Sequence, residues 1–433
     1  MIYKKFLTLG SILLIFMNSI YGQELLKLDE AISIALEKNH QIKVARNTAQ
    51  ISKNSAHPGN AGFLPKVDLS SAINYADEPV RTASANRNTR ATVSLAQVEA
   101  SYNIFNGFGG YYSFKKLKSM SESGELLARN KIELTLVSVI TAYYNVAAAA
   151  EALSIRQEAF AISAERLQRA QKRAGYGQAN KIDVLNAQVD MNADSVLVLN
   201  SRLQLAEAQR NLNFLLNRKT ETPFSVEKTV TFLPRFSVKD VREQAYMNNA
   251  SYLLAQLNLK QSEYDIYLAR SGHLPRLDLR TEYNYSQIAP DLAVEFDDPG
   301  KSFSAGLSLS FNLFDGFQRS INTQNARISQ NTQKLLLQEA RLKLAKEVSI
   351  AFKNYENKRS VLNLEQNNLH SAQLNFQRTQ ELYNLGRLTG TELRQAQLNL
   401  IRVKYNISQA KFQLKLSETE LLRLSGRLVN EEL

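Results

Sequence analysis

Cysteine and tryptophan are both absent from this chain of 433 residues. Without a thiol there is no disulfide, no thiolate metal site and no lipid joined to an N-terminal cysteine. Histidine is nearly absent too. His40, His57, His273 and His370 are isolated, and none sits at metal-ligand spacing from another. No phosphate-cradling loop is present: Gly107, Gly109 and Gly110 miss the required pattern. There is no Gly-x-Ser-x-Gly elbow and no carboxylate pair in a defined cleft, so no enzyme, cofactor or metal is expected. Only eight prolines and 17 glycines interrupt the chain, which leaves room for very long elements. The net charge of +12 is scattered rather than gathered into a basic block, so nucleic acid is not an expected partner.

The first residues have the order of an export signal. Lys4 and Lys5 precede an apolar stretch from Phe6 to Phe16, and small residues lie near a cut before Gln23. The stretch is short for a membrane span, although a retained anchor is the alternative. Removing residues 1–22 takes two lysines and no acid, so +12 becomes +10.

The chain then says nearly everything twice. Gly62, Leu64, Pro65, Asp68 and Leu69 recur as Gly272, Leu274, Pro275, Asp278 and Leu279, at an offset of 210. Asn103, Phe105, Gly107 and Phe108 recur as Asn312, Phe314, Gly316 and Phe317, at an offset of 209. Gly177 maps onto Gly386, and Leu212, Leu215 and Arg218 map onto Leu421, Leu424 and Arg427. Such spacing predicts an internal duplication of a unit of about 200 residues.

Heptads dominate the last part of each unit. Leu393, Leu400, Ile407, Leu414 and Leu421 form one row, and Ala396, Val403, Ala410, Ser417 and Leu424 the next. The first unit has Val184, Met191, Val198, Leu205 and Leu212, beside Ala187, Asp194, Ser201, Ala208 and Leu215. Each pair of rows is a seam that needs a helix packed lengthwise on a partner. Residues 113–174 and 320–384 also read as helix, each about 90–100 Å long at 1.5 Å per residue. Glycines at the breaks (Gly177, Gly386 and Gly390) permit a tight tip turn, and Asn180 or Thr389 can start the next helix. Each unit therefore holds an antiparallel helical hairpin. The uncharged run from Leu134 to Ala150 is read as an apolar packing face. Its counterpart carries Lys343, Lys346, Glu347 and Lys353, which argues against a lipid-spanning helix.

Beyond Pro65 and Pro275 the period drops to two. Leu277, Leu279, Thr281, Tyr283 and Tyr285 alternate with Asp278, Arg280, Glu282 and Asn284. Phe303 to Leu313, Val67 to Tyr75 and Val98 to Ile104 behave alike, with a bulge or late start expected near Val93 and Leu95. Strands of about 9–12 residues with aromatic ends suit a tilted membrane span. Residues 76–90 and 287–302 are expected as outward loops. Four strands cannot close a barrel, so at least two copies must combine. An eight-stranded barrel would be nearly filled by side chains, so three copies and twelve strands suit a conduit better.

These features together resemble the TolC-like outer membrane efflux proteins. The resemblance rests on Leu26-Lys27-Leu28-Asp29-Glu30-Ala31-Ile32, on the Leu-Pro before each first strand, and on the Phe-Asn/Asp-Gly at each second strand's exit. It also rests on Gly386-Arg387-Leu388-Thr389-Gly390-Thr391-Glu392-Leu393 and on the doubling itself. It implies an α+β membrane protein: a homotrimer whose 12-stranded β-barrel, four strands per chain, continues as a long antiparallel α-helical coiled-coil tunnel. The implied organisation is a signal peptide at 1–22, a first unit at 23–217, an equatorial linker at 218–245, a second unit at 246–427 and a tail at 428–433. The implied partners are the outer membrane bilayer, a periplasmic adaptor (membrane fusion protein), and an inner membrane pump or ABC exporter.

The implied function is the exit duct of a tripartite efflux or type I secretion system, closed at the hairpin tips like an iris. Asp183 and Tyr383 match one closing link, and Glu392 matches a ring carboxylate. The second ring position is Gln395, not an acid, and the closing arginine aligns with Leu388, one residue from Arg387. A first-turn acid favoured by the helix dipole is the plainer reading of Asp183 and Glu392. A non-conducting structural or adhesive coiled-coil protein of the envelope is the functional alternative.

Overall fold

A computed structural model describes residues 24–82, 85–177, 180–290 and 300–428. The expected signal at 1–22 and most of the tail at 428–433 lie outside the described residues. The described chain runs β1 (Glu24–Leu26), α1 (Leu28–Lys38), α2 (His40–Ser55), β2 (Lys66–Thr82), β3 (Ala85–Asn106), α3 (Gly109–Gly175) and α4 (Lys181–Leu215). It continues with β4 (Phe224–Val226), α5 (Val238–Asn248), α6 (Ala250–Ser271), β5 (Arg276–Pro290), β6 (Gly300–Ser310), α7 (Gln318–Asn384) and α8 (Gly390–Leu424). The halves match in length: α3 and α7 have 67 residues each, and α4 and α8 have 35 each.

The heptads do what their period requires. Leu393, Leu400, Leu414 and Leu421 are buried, as are Ala396, Ala410 and Leu424, and α8 lies along α7. Val198, Leu212, Ala187, Asp194 and Ser201 are buried where α4 lies along α3. Small residues in the second row let the two backbones approach closely. α8 also buries another face, because it packs on α3 as well.

The strands form one antiparallel sheet in the order β2-β3-β5-β6. Two expectations are corrected here. Residues 76–82 and 85–90 are strand rather than loop: the β2–β3 ladder continues from Ala76↔Ala91 to Thr82↔Ala85. Pro79 does not stop it: β2 is an edge strand of this sheet, and Pro79 lies past the about 9–11 residues of a bilayer crossing, where the outer side of the strand can do without a ladder donor. With 17 and 22 residues, β2 and β3 outrun the 9–11 that a tilted bilayer crossing needs. The bulge also sits elsewhere. Pairing is unbroken from Ala91 to Asn103, and the register shifts between Asn103 and Phe105. Val93 and Leu95 therefore share the face of Gln97 and Glu99, and that polar face gains an apolar outer stretch.

Below the sheet a belt joins the halves. The parallel pair β1–β4 brings Leu26 beside Val226, and both pack against Leu136, Val139, Ile140 and Tyr143. The uncharged run is therefore a packing face. Burial pushes the Tyr143 hydroxyl up to about 12, and it donates to the Leu26 carbonyl at 3.1 Å. The chain after β4 is strapped to α8. Lys415 donates to the Thr231 carbonyl at 2.9 Å, and Glu418 accepts from the Leu233 amide at 3.4 Å.

The first half opens with two helices, because Asn39 breaks the run. Its Oδ1 accepts from the amides of Gln41 and Ile42, while its Nδ2 donates to the Leu215 carbonyl at 2.7 Å. Asn249 repeats both roles, accepting from the Tyr252 amide and donating to the Leu424 carbonyl. One amide thus caps one helix and satisfies the last turn of another.

Asn249→Ala is expected to lower stability by about 1–3 kcal/mol, the cost of a lost cap plus an orphaned buried carbonyl, as read from thermal melting. A second outcome concerns acidity. Burial raises the Glu418 carboxyl above its ordinary 4.5, and the Lys415 charge offsets only part of that. The folded state therefore holds this proton more tightly than the unfolded one. Stability is full below the ordinary value and falls as pH rises through the raised one. Melting curves of Glu418→Gln across that range are expected to lose this part of the decline.

Candidate functional site at the hairpin tips

Each hairpin turns on a glycine in the left-handed region, Gly177 at φ 70° and Gly386 at φ 74°. In the second tip the amide of Gly386 donates to the Tyr383 carbonyl and that of Arg387 to the Leu382 carbonyl, a Schellman closure. Gly390 plays a different part from the one expected: it is the first residue of α8 and is not left-handed.

Both return helices start with a capping box. Asn180 accepts from the Ile182 amide at 3.2 Å, and Asp183 accepts from the Asn180 amide at 3.3 Å. Thr389 accepts from the Glu392 amide at 3.3 Å, and Glu392 accepts from both the amide and the hydroxyl of Thr389 at 2.8 Å. These Thr389 bonds, the backbone one foremost, hold the Glu392 carboxyl below its ordinary range. Asp183 and Glu392 are therefore the same position in the two halves, 209 residues apart. That equivalence was legible in the sequence offset.

A cleft of about 520 Å³ separates the two tips, and Asp183, Tyr383 and Arg387 all line it. Tyr383 is buried, whereas Asp183 and Arg387 are exposed. Glu392 and Gln395 lie outside the cleft lining, and Gln395 donates to Asn399 one turn on.

Above the cleft is a cluster that the sequence reading did not find. Asp194 is 3 % exposed. It receives the Arg394 guanidinium through both carboxylate oxygens, at 2.6 and 2.9 Å. The buried Ser163 hydroxyl also donates to Asp194, and Gln397 donates to the Ala159 carbonyl at 3.0 Å. Arg166 bonds Asp190 and reaches the Gly390 carbonyl at 3.3 Å, so it touches the first residue of α8. Burial works against the Arg394 charge, but the Asp194 hydrogen bond and charge outweigh it and raise the arginine above its usual range. The signal was present: Asp194 is an acid in a row of small residues, where the other half has Val403.

Residues 31–218 and 241–427 each match the profile of the outer membrane efflux protein family, one match per half. The chain belongs to that family. Among its relatives, the protein CyaE of Bordetella pertussis is 26 % identical over 76 % of this chain and 68 % of its own. The outer membrane protein TolC of Vibrio cholerae is 25 % identical over 69 % of this chain and 68 % of its own. The outer membrane efflux protein BepC of Brucella suis is 19 % identical over 93 % and 86 %. The fold matches the Campylobacter jejuni CmeC outer membrane channel with a TM-score of 0.78 at 15 % identity, over 94 % of this chain and 87 % of that one. It matches the open state of the Neisseria gonorrhoeae MtrE channel with a TM-score of 0.74 at 17 % identity, over 93 % and 89 %. This efflux-family chain is an outer membrane protein with the fold of those channels.

The capping boxes yield a measurable outcome. Thr389→Ala is expected to cost about 1 kcal/mol of local stability in the first turn of α8. Amide hydrogen exchange followed by mass spectrometry is expected to show faster exchange in peptides covering 390–393, with α4 unchanged.

Proposed function

We propose that three copies of this chain form a passive, gated exit duct across the outer membrane. Four strands from each copy complete a 12-stranded barrel, and the helical hairpins continue it as a periplasmic tunnel. The chain arose by internal duplication. It is exported by a signal at 1–22 and arranged as units 23–217 and 246–427 around an equatorial linker at 218–245, with a short tail at 428–433.

The observation that carries this reading is a surface left unfinished in the single chain. The sheet ends in two unpaired edges, β2 and β6, which hydrocarbon cannot tolerate. Along α4 the residues Ile182, Leu185, Val189, Val196, Leu199 and Leu203 are each more than half exposed. The corresponding face of α8 is covered by α3, through Arg394 with Ser163, Ser408 with Glu151, and Phe412 with Tyr144. The face on α4 then needs the α7 of a neighbouring copy, where Leu364 stands 63 % exposed at the step matching Ile155. Such contacts propagate around a ring and close after three copies.

The duct needs no catalytic residue, because the energy comes from an inner membrane pump or ABC exporter, its partner together with a periplasmic adaptor. Cargo is a small molecule in efflux or a polypeptide in type I secretion. At the tips, Asp183 and Tyr383 form a closing link across their shared cleft, with Arg387 beside them. Three copies of Glu392 set a negative ring, which Gln395 leaves without a second tier.

Purified protein is expected to run as a heat-modifiable trimer and to conduct ions in planar bilayers. Asp183→Ala and Tyr383→Ala are each expected to raise single-channel conductance. Unchanged conductance in both variants removes the gate assignment. A trimer that never conducts favours the structural coiled-coil alternative.

A further inference from the structure

Two seams run down the proposed tunnel wall, and under the 209-residue offset they are the same seam. One joins α8 to the first hairpin of its own chain. The other joins α4 to the second hairpin of a neighbouring copy, so this inference rests on the trimeric duct. The side chains on the two seams are not alike. The inner seam holds Ser163, Arg166, Asp190, Asp194, Arg394 and Gln397. The matching steps of the other seam are Ala372, Asn375, Asn399, Val403, Leu185 and Gln188, without a single charge.

We propose that the Arg394–Asp194 cluster pins α8 to the first hairpin as a fixed pivot, so that the tunnel opens below it and along the seams between copies. The geometry is that of a permanent contact. The guanidinium meets both carboxylate oxygens, and Asp194, Ser163, Arg166 and Gln397 are all nearly solvent-free. Parting the two elements before water can enter leaves opposite charges uncompensated in a poorly solvated seam, a barrier that parting apolar side chains does not carry. Arg166 extends the hold downward by grasping the backbone of Gly390. Directly above, Ile155, Ala159 and Ile401 form a closed apolar cluster. Directly below lies the 520 Å³ cleft, where the last turn of α7 and the tip turn have room to move. Leu185, Ala372 and Val403 on the other seam can separate with the loss of apolar contact only.

The chain has no cysteine of its own, so an Ile155→Cys/Ile401→Cys pair reports on the inner seam alone. In full-length protein from outer membranes, the pair is expected to oxidise readily. Its disulfide is expected to leave single-channel conductance unchanged, with or without Tyr383→Ala. Asp194→Val, added to the cysteine pair, leaves Arg394 only the longer 3.8 Å approach to Asp190 as an ion pair and is expected to lower the crosslinking yield and the melting temperature together. The double variant Asp194→Val/Arg394→Leu gives the inner seam the residues of the other seam. It is expected to regain the melting temperature yet keep a conductance several-fold above the parent's, a result that mere misfolding cannot produce. A disulfide that suppresses conductance overturns the pivot, and so does a double variant with the parental conductance. A cysteine-pair protein that crosslinks but passes no current, oxidised or reduced, counts against the duct itself, and the crosslinking yield with Asp194→Val added to that pair still decides whether the cluster holds the seam.

Discussion

Unpaired backbone governs this molecule. β2 and β6 each present a row of amide and carbonyl groups with no partner among the described residues, and a bilayer offers no water to satisfy them. The alternation of the strands has the same root, because one face must tolerate lipid while the other stays wet. The helices obey a parallel rule with side chains in place of backbone. A 35-residue helix with apolar rows on two sides cannot be satisfied by one neighbour. α8 finds its second neighbour within the chain, and α4 does not. Sheet and helices therefore leave the same kind of unfinished surface, and the trimer proposed above would cover both.

Much of this could be read from residues alone because the signals are periodic and occur twice. The seam Leu393-Leu400-Leu414-Leu421 lies where its heptads place it, and the two-residue period after Pro275 marks a strand. What could not be read was set by contacts distant in sequence. The polar stretch 76–90 was expected as a loop, and only its pairing within the β2–β3 hairpin shows the strands running on. The bulge near Phe105 depends on how β3 meets β5, a partner about 180 residues away, and local parity could not fix it. Asp194 stands out as an acid in its row of small residues, but its partners become legible only when three helices are seen together.

At the tips, partial legibility has a clear cause. Asp183 and Glu392 occupy matching capping boxes, so local helix chemistry accounts for both carboxylates before any wider role is considered. Tyr383 is different, since nothing in its own turn calls for an aromatic ring facing the first hairpin across a cleft. Asn39 and Asn249 teach a related lesson. Each looks like an ordinary helix start, yet each also bonds the end of a helix about 175 residues away, so that the junction of two shorter helices is tied to the last turn of a 35-residue one.

The equal length of α3 and α7 has an evolutionary consequence. One residue inserted into either helix would rotate everything beyond it by about 100° and advance it by about 1.5 Å. Its tip would no longer lie level with its sister, and every rung of the seam would face the wrong way. Tolerable indels in such a strut come in whole heptads and must strike both arms together. The stretch after β4 is held by a few side-chain straps rather than by a helical register, so change there is much less constrained. Descendants of such a gene should therefore drift in the girdle and keep the span.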